Sequence, residues 1–332
     1  MGAVREPLRV GVLLPTREQA ILGEHSASSL LDFARRAEQL GFDSLWTGDS
    51  LTARPRLDPL VVLSAVGAVT RRVLLGTAAM APALRHPFTA ASMVSSLDHV
   101  SSGRLVLGVG PGFPVPDTDG EPADAGDPAA VRAGALDEVT ALWRTAWSST
   151  RPGAPNHFAG RHWQAENLDR LICPAAPDGP PMWLATGTDS ARTLERAARL
   201  YDGWLSSRTS AESYAGARRR LEDLCRRAGR RAGAVTPALY LTVTVGPDEQ
   251  RARVELDDYL EHCYGRALEQ MSALCAYAWG PSEHCAQRLA DYVRAGARHI
   301  LLRIGSLRPE THLREIADVL VSTARQTDQE ST

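Results

Sequence analysis

The sequence contains no lysine, so arginine supplies all 37 of its basic residues. Together with 39 acidic residues they leave a net charge of −2, which creates no strong field to attract nucleic acid or anionic lipid. No segment approaches the roughly 18 uninterrupted apolar residues that a membrane span requires. The short charged stretch before the first apolar run lacks the pattern of a secretory signal peptide. We therefore expect a cytoplasmic protein that binds neither nucleic acid nor a membrane.

Cysteine is also scarce, and its spacing argues against a disulfide framework and a zinc site. The five cysteines are Cys173, Cys225, Cys263, Cys275 and Cys285. Their number is odd, no two of them form a C-x-x-C pair, and no paired cysteine and histidine spacing of the zinc type occurs. We expect reduced structural thiols and no metal site.

Several common catalytic and nucleotide-binding patterns are missing as well. The absence of G-x-S-x-G and H-E-x-x-H argues against a serine hydrolase and a zinc protease. Gly108 and Gly110 form a G-x-G pair after an apolar segment. Pro111 and the proline-rich residues beyond it prevent the helix that a dinucleotide-binding fold needs. At this strand end Gly110 either lets a flat ring approach the backbone or forms a plain tight turn.

Eight apolar segments with strand character are present, and helical spacing follows nearly all of them. The predicted strands are 8–14, 42–46, 73–79, 105–109, 182–185, 203–206, 238–245 and 299–304. This alternation predicts an α/β fold with a parallel sheet, and the number eight favours closure into a (β/α)8 TIM barrel over a doubly wound open sheet. We expect a single domain over residues 1–332, with loop insertions near 114–128, 151–181 and 246–280.

In such a barrel the functional residues lie where strands end and loops begin. Gly187, Thr188, Asp189 and Ser190 follow the fifth predicted strand and precede a helix. Free backbone N–H groups and the helix dipole make such a loop a phosphate site by geometry. The alternative is that Asp189 or Ser190 only caps the helix, and both roles are compatible.

Asp49, Ser50 and His86 are the candidate catalytic residues. Asp49 and Ser50 follow the second predicted strand, where an aspartate acts either as a base or as a partner of its own loop backbone. His86 precedes Pro87 at the start of a helix, and by itself this position is more typical of a structural histidine than of a catalytic one.

Several motifs together resemble the luciferase-like monooxygenase superfamily. They are Gly41-Phe42-Asp43-Ser44-Leu45-Trp46, Leu75-Gly76-Thr77-Ala78-Ala79 with Arg85-His86-Pro87, Leu97-Asp98-His99-Val100-Ser101-Ser102-Gly103-Arg104-Leu105, Ala185-Thr186-Gly187, Asp202-Gly203-Trp204 and Ala295-Gly296-Ala297-Arg298-His299. The resemblance covers almost the whole chain in order. It implies a (β/α)8 barrel with an insertion after the seventh strand and FMN or coenzyme F420 at the C-terminal mouth.

The same resemblance implies roles for individual residues. It places a cis peptide bond between Ala78 and Ala79 under the flavin ring and the cofactor phosphate against Gly187–Ser190. The sequence also departs from its relatives. Luciferases have a histidine near the position of Asp49, several F420-dependent dehydrogenases have one at about Ser50, and the luciferase arginine that binds the phosphate falls on Pro111.

Three functions follow as hypotheses from this resemblance. The first is a monooxygenase that receives reduced FMN from a separate flavin reductase and oxygenates a small organic substrate. The second is an F420-dependent hydride-transfer oxidoreductase, and the third is a non-catalytic flavin-binding or partner subunit. A homodimer is also expected, because relatives pair through helices that match 58–70 and 87–100. Small residues in these helices permit close approach: Ala65, Gly67, Ala68, Ala90, Ala91, Ser92, Ser95 and Ser96.

Overall fold

The computed structural model describes residues 7–50, 55–111, 129–208 and 210–330. Eight parallel strands form a closed barrel, because the seventh of them pairs with both the sixth and the eighth. The barrel strands are β1 (Arg9–Leu13), β2 (Ser44–Thr47), β3 (Leu74–Met80), β4 (Leu105–Val109), β7 (Met182–Thr186), β8 (Gly203–Ser206), β9 (Thr236–Val245) and β11 (His299–Ile304). The predicted (β/α)8 barrel is confirmed, and closure rules out the open-sheet alternative.

One strand and a short hairpin lie outside the regular alternation. β10 (Ala276–Gly280) pairs in parallel with the last five residues of β9, beyond the point where β8 ends. It therefore extends the sheet beyond the end of β8 at the C-terminal mouth of the barrel. Within the predicted 246–280 insertion, the spacing of apolar residues over 267–276 predicts a helix that ends at Ala276, and this prediction was wrong. β5 (Phe158–Ala159) and β6 (Gln164–Ala165) form an antiparallel hairpin within the predicted 151–181 insertion.

The helices cover the outside of the barrel, and several begin where the sequence places a capping residue. They are α1 (Thr16–Ile21), α2 (Ala27–Gln39), α3 (Pro59–Val69), α4 (Pro87–Val100), α5 (Ala129–Ser148), α6 (Ala191–Leu200), α7 (Ala211–Arg227), α8 (Glu249–Tyr264), α9 (Leu268–Met271), α10 (Ser282–Arg294), α11 (Leu313–Glu315) and α12 (Ser322–Glu330). The Asp58 side chain accepts from the Leu60 and Val61 amides, and Pro59 sits at the first helical position. A π-helical segment, Ile316–Val321, joins α11 to α12. The predicted 114–128 loop lies outside the described residues.

Aromatic side chains fill the lower half of the barrel interior. Trp46 and Trp183 have ring centroids 5.3 Å apart, and the fully buried His299 packs edge-on against both rings. Gly76 makes room for Trp46, because a Cβ at that position would lie 2.1 Å from the indole ring. These rings close the barrel from below, so a ligand has access only from the C-terminal mouth.

No helix of the described ranges is both long and apolar enough to cross a membrane. Within the same ranges, no three histidine, cysteine, aspartate or glutamate side chains gather in a way that could hold a metal ion.

Candidate active site

Small residues from three strand ends form a flat surface above the tryptophan layer. The peptide bond between Ala78 and Ala79 is cis, as the sequence resemblance predicts. A Cβ added to Gly110 would lie 3.6 Å from the Cβ of Ala79 and 3.5 Å from the carbonyl oxygen of Ala185. Ala78 and Ala185 also pack on the cluster that contains Trp46 and Trp183. We call Ala78, Ala79, Gly110 and Ala185 the alanine bed. It has the shape and apolar character to support one face of a flat ring.

The predicted phosphate loop lies directly beside this bed, after β7. The Thr188 amide donates to the Thr186 hydroxyl at 3.0 Å, and the Ser190 amide donates to the Thr188 hydroxyl at 3.2 Å. Ser190 caps α6 by accepting from the Thr193 amide at 3.2 Å. The capping interpretation of Ser190 is therefore observed. The amides of Ala191 and Arg192 precede the first intrahelical bond of α6 and remain as donors for an anion.

Asp189 does not cap the helix. Its carboxylate binds Arg208 and also binds Arg220, with an Arg220 Nη2 to Asp189 Oδ2 distance of 2.8 Å. Only 14% of the Asp189 side chain is exposed. The Nε atom of Arg208 is buried and has no partner among the described residues. Burial, followed by the charge of Arg220, lowers the pKa of Arg208. Two arginines thus lie next to the predicted phosphate loop, although Pro111 replaces the arginine with which luciferases bind the cofactor phosphate.

Asp49 is tied to the neighbouring strand end. Arg85 donates to both of its carboxylate oxygens, and the Ala81 amide donates to Oδ2 at 3.0 Å. The same guanidinium binds Asp58 Oδ2 at 2.6 Å. Burial disfavours the charged form of Arg85, but the hydrogen bonds that it donates to Asp49 and Asp58 raise its pKa. Asp49 therefore holds the β2 and β3 ends together.

The other two candidate catalytic residues occupy different environments. Ser50 follows Asp49 and is buried at the mouth of the barrel. His86 is exposed at the N-terminus of α4, with its ring centroid 5.3 Å from Phe88 and 5.6 Å from Trp163. The structure thus brings Asp49 and Ser50 to the strand ends and leaves His86 at the rim.

A group of arginines that sequence reasoning missed lies at the same mouth. Arg17 follows β1, Arg56 follows β2, and Arg303 lies near the end of β11. The Arg17 guanidinium carbon is 4.9 Å from the ring centroid of Tyr264, and Arg303 Nη1 is 3.5 Å from the Tyr264 hydroxyl. Arg303 also faces the Tyr240 ring at 5.8 Å. We call Arg17, Arg56 and Arg303 the arginine cluster.

No local pattern marks this cluster, because its members come from opposite ends of the chain. Arg208 was accessible to prediction, since it comes two residues after the end of β8, where a barrel strand opens onto the mouth.

The closed barrel thus carries a flat apolar bed, the start of a helix and buried arginines together at its C-terminal mouth, where barrels of this kind bind their ligands. The model of the luciferase-like monooxygenase family matches residues 8–299. The chain belongs to this family, as the sequence motifs indicate.

Two curated relatives are named for the same cofactor. An F420-dependent glucose-6-phosphate dehydrogenase from Nakamurella multipartita is 28% identical over 324 residues, covering 89% of this chain and 90% of the relative. An F420-dependent hydroxymycolic acid dehydrogenase from Mycobacterium tuberculosis is 32% identical over 190 residues, covering 53% of this chain and 48% of the relative.

Solved structures of low sequence identity share the fold. An F420-dependent secondary alcohol dehydrogenase superposes with a TM-score of 0.75 at 17% identity, covering 96% of this chain and 99% of that one. A monooxygenase from Streptomyces bottropensis gives the same TM-score at 22% identity, covering 95% and 99%. The chain is a luciferase-like oxidoreductase.

Proposed function

We propose that this protein is an F420-dependent oxidoreductase that transfers a hydride between the deazaflavin and an organic substrate. The observation that carries the proposal is the full-length match to a relative named as an F420-dependent dehydrogenase, which spans 90% of that relative. This was the alternative at the sequence level, where an FMN monooxygenase served by a separate reductase came first. The relatives now favour F420.

The residues present fit a cofactor of this kind. The alanine bed offers a flat apolar support, since Gly110 leaves open the space that a Cβ would fill between Ala79 and Ala185. The amides of Ala191 and Arg192 point from the start of α6, where a phosphate is stabilised by the helix dipole. F420 also carries an acidic tail beyond its phosphate. Arg208 and the exposed Arg220 stand beside the loop and would attract such a tail.

The chain's own groups perform binding, orientation and exclusion of water. F420, when bound, supplies the site that accepts or gives up the hydride. The alanine bed and the tryptophan layer below it keep water away from one ring face. Arg85 holds Asp49, and this pair positions the backbone that leads into Ser50. We assign to Ser50 the hydrogen bond to the substrate oxygen, and to His86 a place at the rim where the substrate enters.

The test is an anaerobic binding titration of the full chain with F420, with FMN and with reduced FMN. We expect saturable F420 binding, and we expect Arg208→Gln to weaken it by at least about tenfold, because a charge-assisted hydrogen bond to the cofactor is lost. Arg227→Gln, an exposed arginine on α7, is the matched control and should bind F420 like the unmodified protein.

Two outcomes would contradict the proposal. Binding of reduced FMN with rapid oxygen uptake, and no response to F420, would restore the monooxygenase interpretation, which the fold shared with the Streptomyces monooxygenase also permits. Binding of F420 without turnover of alcohols, aldehydes or sugar phosphates would favour a non-catalytic subunit.

A further inference from the structure

The arginine cluster has more positive charge than its surroundings compensate. Glu18 is the carboxylate whose charge acts on Arg56 and Arg303, and it is buried. It already accepts a hydrogen bond from the Tyr259 hydroxyl at 2.6 Å. The nearby Asp49 carboxylate is occupied by Arg85. Glu18 therefore offsets part of the charge on two of the three guanidinium groups.

The consequence is visible at Arg56. Burial first, and then the charges of Arg17 and Arg303, lower the pKa of Arg56 to about 10. An arginine is ordinarily charged well above that value. The pKa values of Arg17 and Arg303 are raised instead, because the effect of burial is outweighed by neighbouring tyrosines. Arg56 is therefore the member of the cluster whose charge its surroundings compensate least, and such perturbed groups are concentrated at functional sites.

The cluster also contains hydrogen-bond donors without acceptors. Nε and Nη1 of Arg17, Nε and Nη1 of Arg56 and Nε of Arg303 are buried and have no partner among the described residues. Only 4% of Arg303 is exposed. Buried guanidinium donors are nearly always bonded to a carboxylate, a phosphate or a carbonyl oxygen. Unpaired donors on three arginines in one group indicate that an anion completes the site.

The cluster is adjacent to the alanine bed. Arg56 Nη1 and the carbonyl oxygen of Ala78 each lie 3.6 Å from the position that a Cβ would occupy on Gly48. The guanidinium and the cis peptide carbonyl are thus separated by no more than twice that distance. An anion held by Arg56 would place the rest of a small organic molecule over the bed, where the proposed hydride transfer occurs. The phosphate loop after β7 is a different part of the mouth, with its own arginines.

We propose that Arg17, Arg56 and Arg303 bind the carboxylate or phosphate group of the substrate, and that the substrate is therefore an organic anion. That the bound anion is the substrate depends on the proposed function, whereas the existence of an anion site depends only on the arginine cluster. Tyr240 and Tyr264 stand against the guanidinium groups and offer flat apolar faces to the body of the same ligand. Glu18, which accepts the hydrogen bond from Tyr259, offsets part of the positive charge on Arg56 and Arg303.

The test is calorimetric titration of the full chain, without cofactor, with three probes of similar shape: benzoate, phenyl phosphate and neutral benzamide. We expect one or both anions to bind and benzamide not to bind. The anion that binds more tightly identifies the group that the cluster prefers. Arg56→Gln should reduce anion affinity by at least about tenfold, because one charged partner is removed from a desolvated site. Arg56→Lys should retain part of it, and Arg227→Gln should change nothing.

A second measurement separates an anion site from a purely structural cluster. If the arginines are uncompensated in the free protein, ligand-free Arg56→Gln should unfold at the same temperature as the unmodified protein or at a higher one. A lower unfolding temperature with unchanged anion affinity would overturn the proposal, as would equal binding of benzamide and benzoate or binding of neither anion. A parallel F420 titration keeps the two proposals apart. If the unmodified protein binds the anions but not F420, the proposed function is contradicted. If it binds F420 but neither anion, the anion site is contradicted.

Discussion

Arg85 binds both carboxylate oxygens of Asp49, with N–O distances of 2.6 Å and 3.0 Å. The side chain of Asp49 is 1% exposed, so its carboxylate is shielded from water. Through its second bond to Asp58, the same arginine also holds the start of α3. This arrangement fixes the chain just after the cis peptide at Ala78–Ala79, because the Ala81 amide donates to the same carboxylate. The aspartate thereby orders the active-site end of two strands.

We expect Arg85→Gln to destabilise the protein severely. The substitution leaves Asp49 buried without its bidentate partner, and breaking a buried pair in this way costs about 3–5 kcal/mol. The measurement is the free energy of unfolding in urea. Arg35→Gln is the control, since Arg35 and Asp32 form an exposed pair whose loss costs about 1 kcal/mol or less. Equal destabilisation by the two variants would contradict the role given to Arg85.

The barrel and the helix caps were readable from the sequence because their signals are local. An apolar run followed by Asp58-Pro59, or a glycine loop ending in Ser190, specifies its element through neighbours a few residues away. The strand Ala276–Gly280 was misassigned because its short apolar run continues a helical spacing, and only its pairing with β9 makes it a strand.

The arginine cluster could not be predicted for a different reason. Arg17 and Arg303 meet only because the barrel closes β1 against β11. Their partner Tyr264 belongs to the inserted α8, whose position no local pattern specifies. The sequence also placed no functional signal on Arg85, so Asp49 was interpreted as a candidate base rather than as half of an ion pair.

We expect His299 to make the stability of the barrel sensitive to acid. Burial first, and then the charge of Arg9, lower its pKa from 6.5 to about 3. The Trp46 indole donates to the Ser44 hydroxyl, which in turn can donate to Nε2 of a neutral His299 ring. Below about pH 6.5 His299 binds a proton in the unfolded chain but stays neutral in the folded chain. The free energy of unfolding therefore has its full value well above that pH and decreases as the pH is lowered.

The expected loss follows from this difference in proton binding. One fully bound proton is worth about 1.4 kcal/mol per pH unit. Because the unfolded histidine is already half protonated at pH 6.5, the loss is about 2.3 kcal/mol between pH 6.5 and pH 4.5. The measurement is the slope of unfolding free energy against pH for the unmodified protein and for His299→Gln. His299→Gln should lose the contribution of His299 to this slope, whatever its absolute stability. His157 is exposed, so the control variant His157→Gln should keep the slope of the unmodified protein. An unchanged slope in His299→Gln would show that His299 does not control the acid response.

We expect Gly110→Ala to weaken F420 binding by about tenfold, or about 1.4 kcal/mol, with little effect on the fold. The new methyl group would lie 3.5–3.8 Å from Ala185 and Ala79, which is ordinary van der Waals contact. It would, however, fill the space in the alanine bed that the ring needs. Gly216→Ala on α7 is the control, because nothing lies within 4 Å of its Cβ and a helical alanine stabilises by about 0.5–1 kcal/mol. Unchanged F420 affinity in Gly110→Ala would place the ring elsewhere.

We expect the protein to dimerise through α3 and α4. The outward face of α3 presents Val61, which is 61% exposed, together with the exposed small residues Ala65 and Ala68. An apolar, small-residue face on a helix permits the close approach that a second copy of the chain needs. Ala65→Arg should convert the dimer to a monomer, because it adds a charged side chain at the centre of that contact without touching the core. The mass is measured by light scattering during gel filtration. Val254→Arg replaces an equally exposed valine on α8 and should remain dimeric. A monomeric mass for the unmodified protein, or a dimer that survives Ala65→Arg, would contradict pairing through this face.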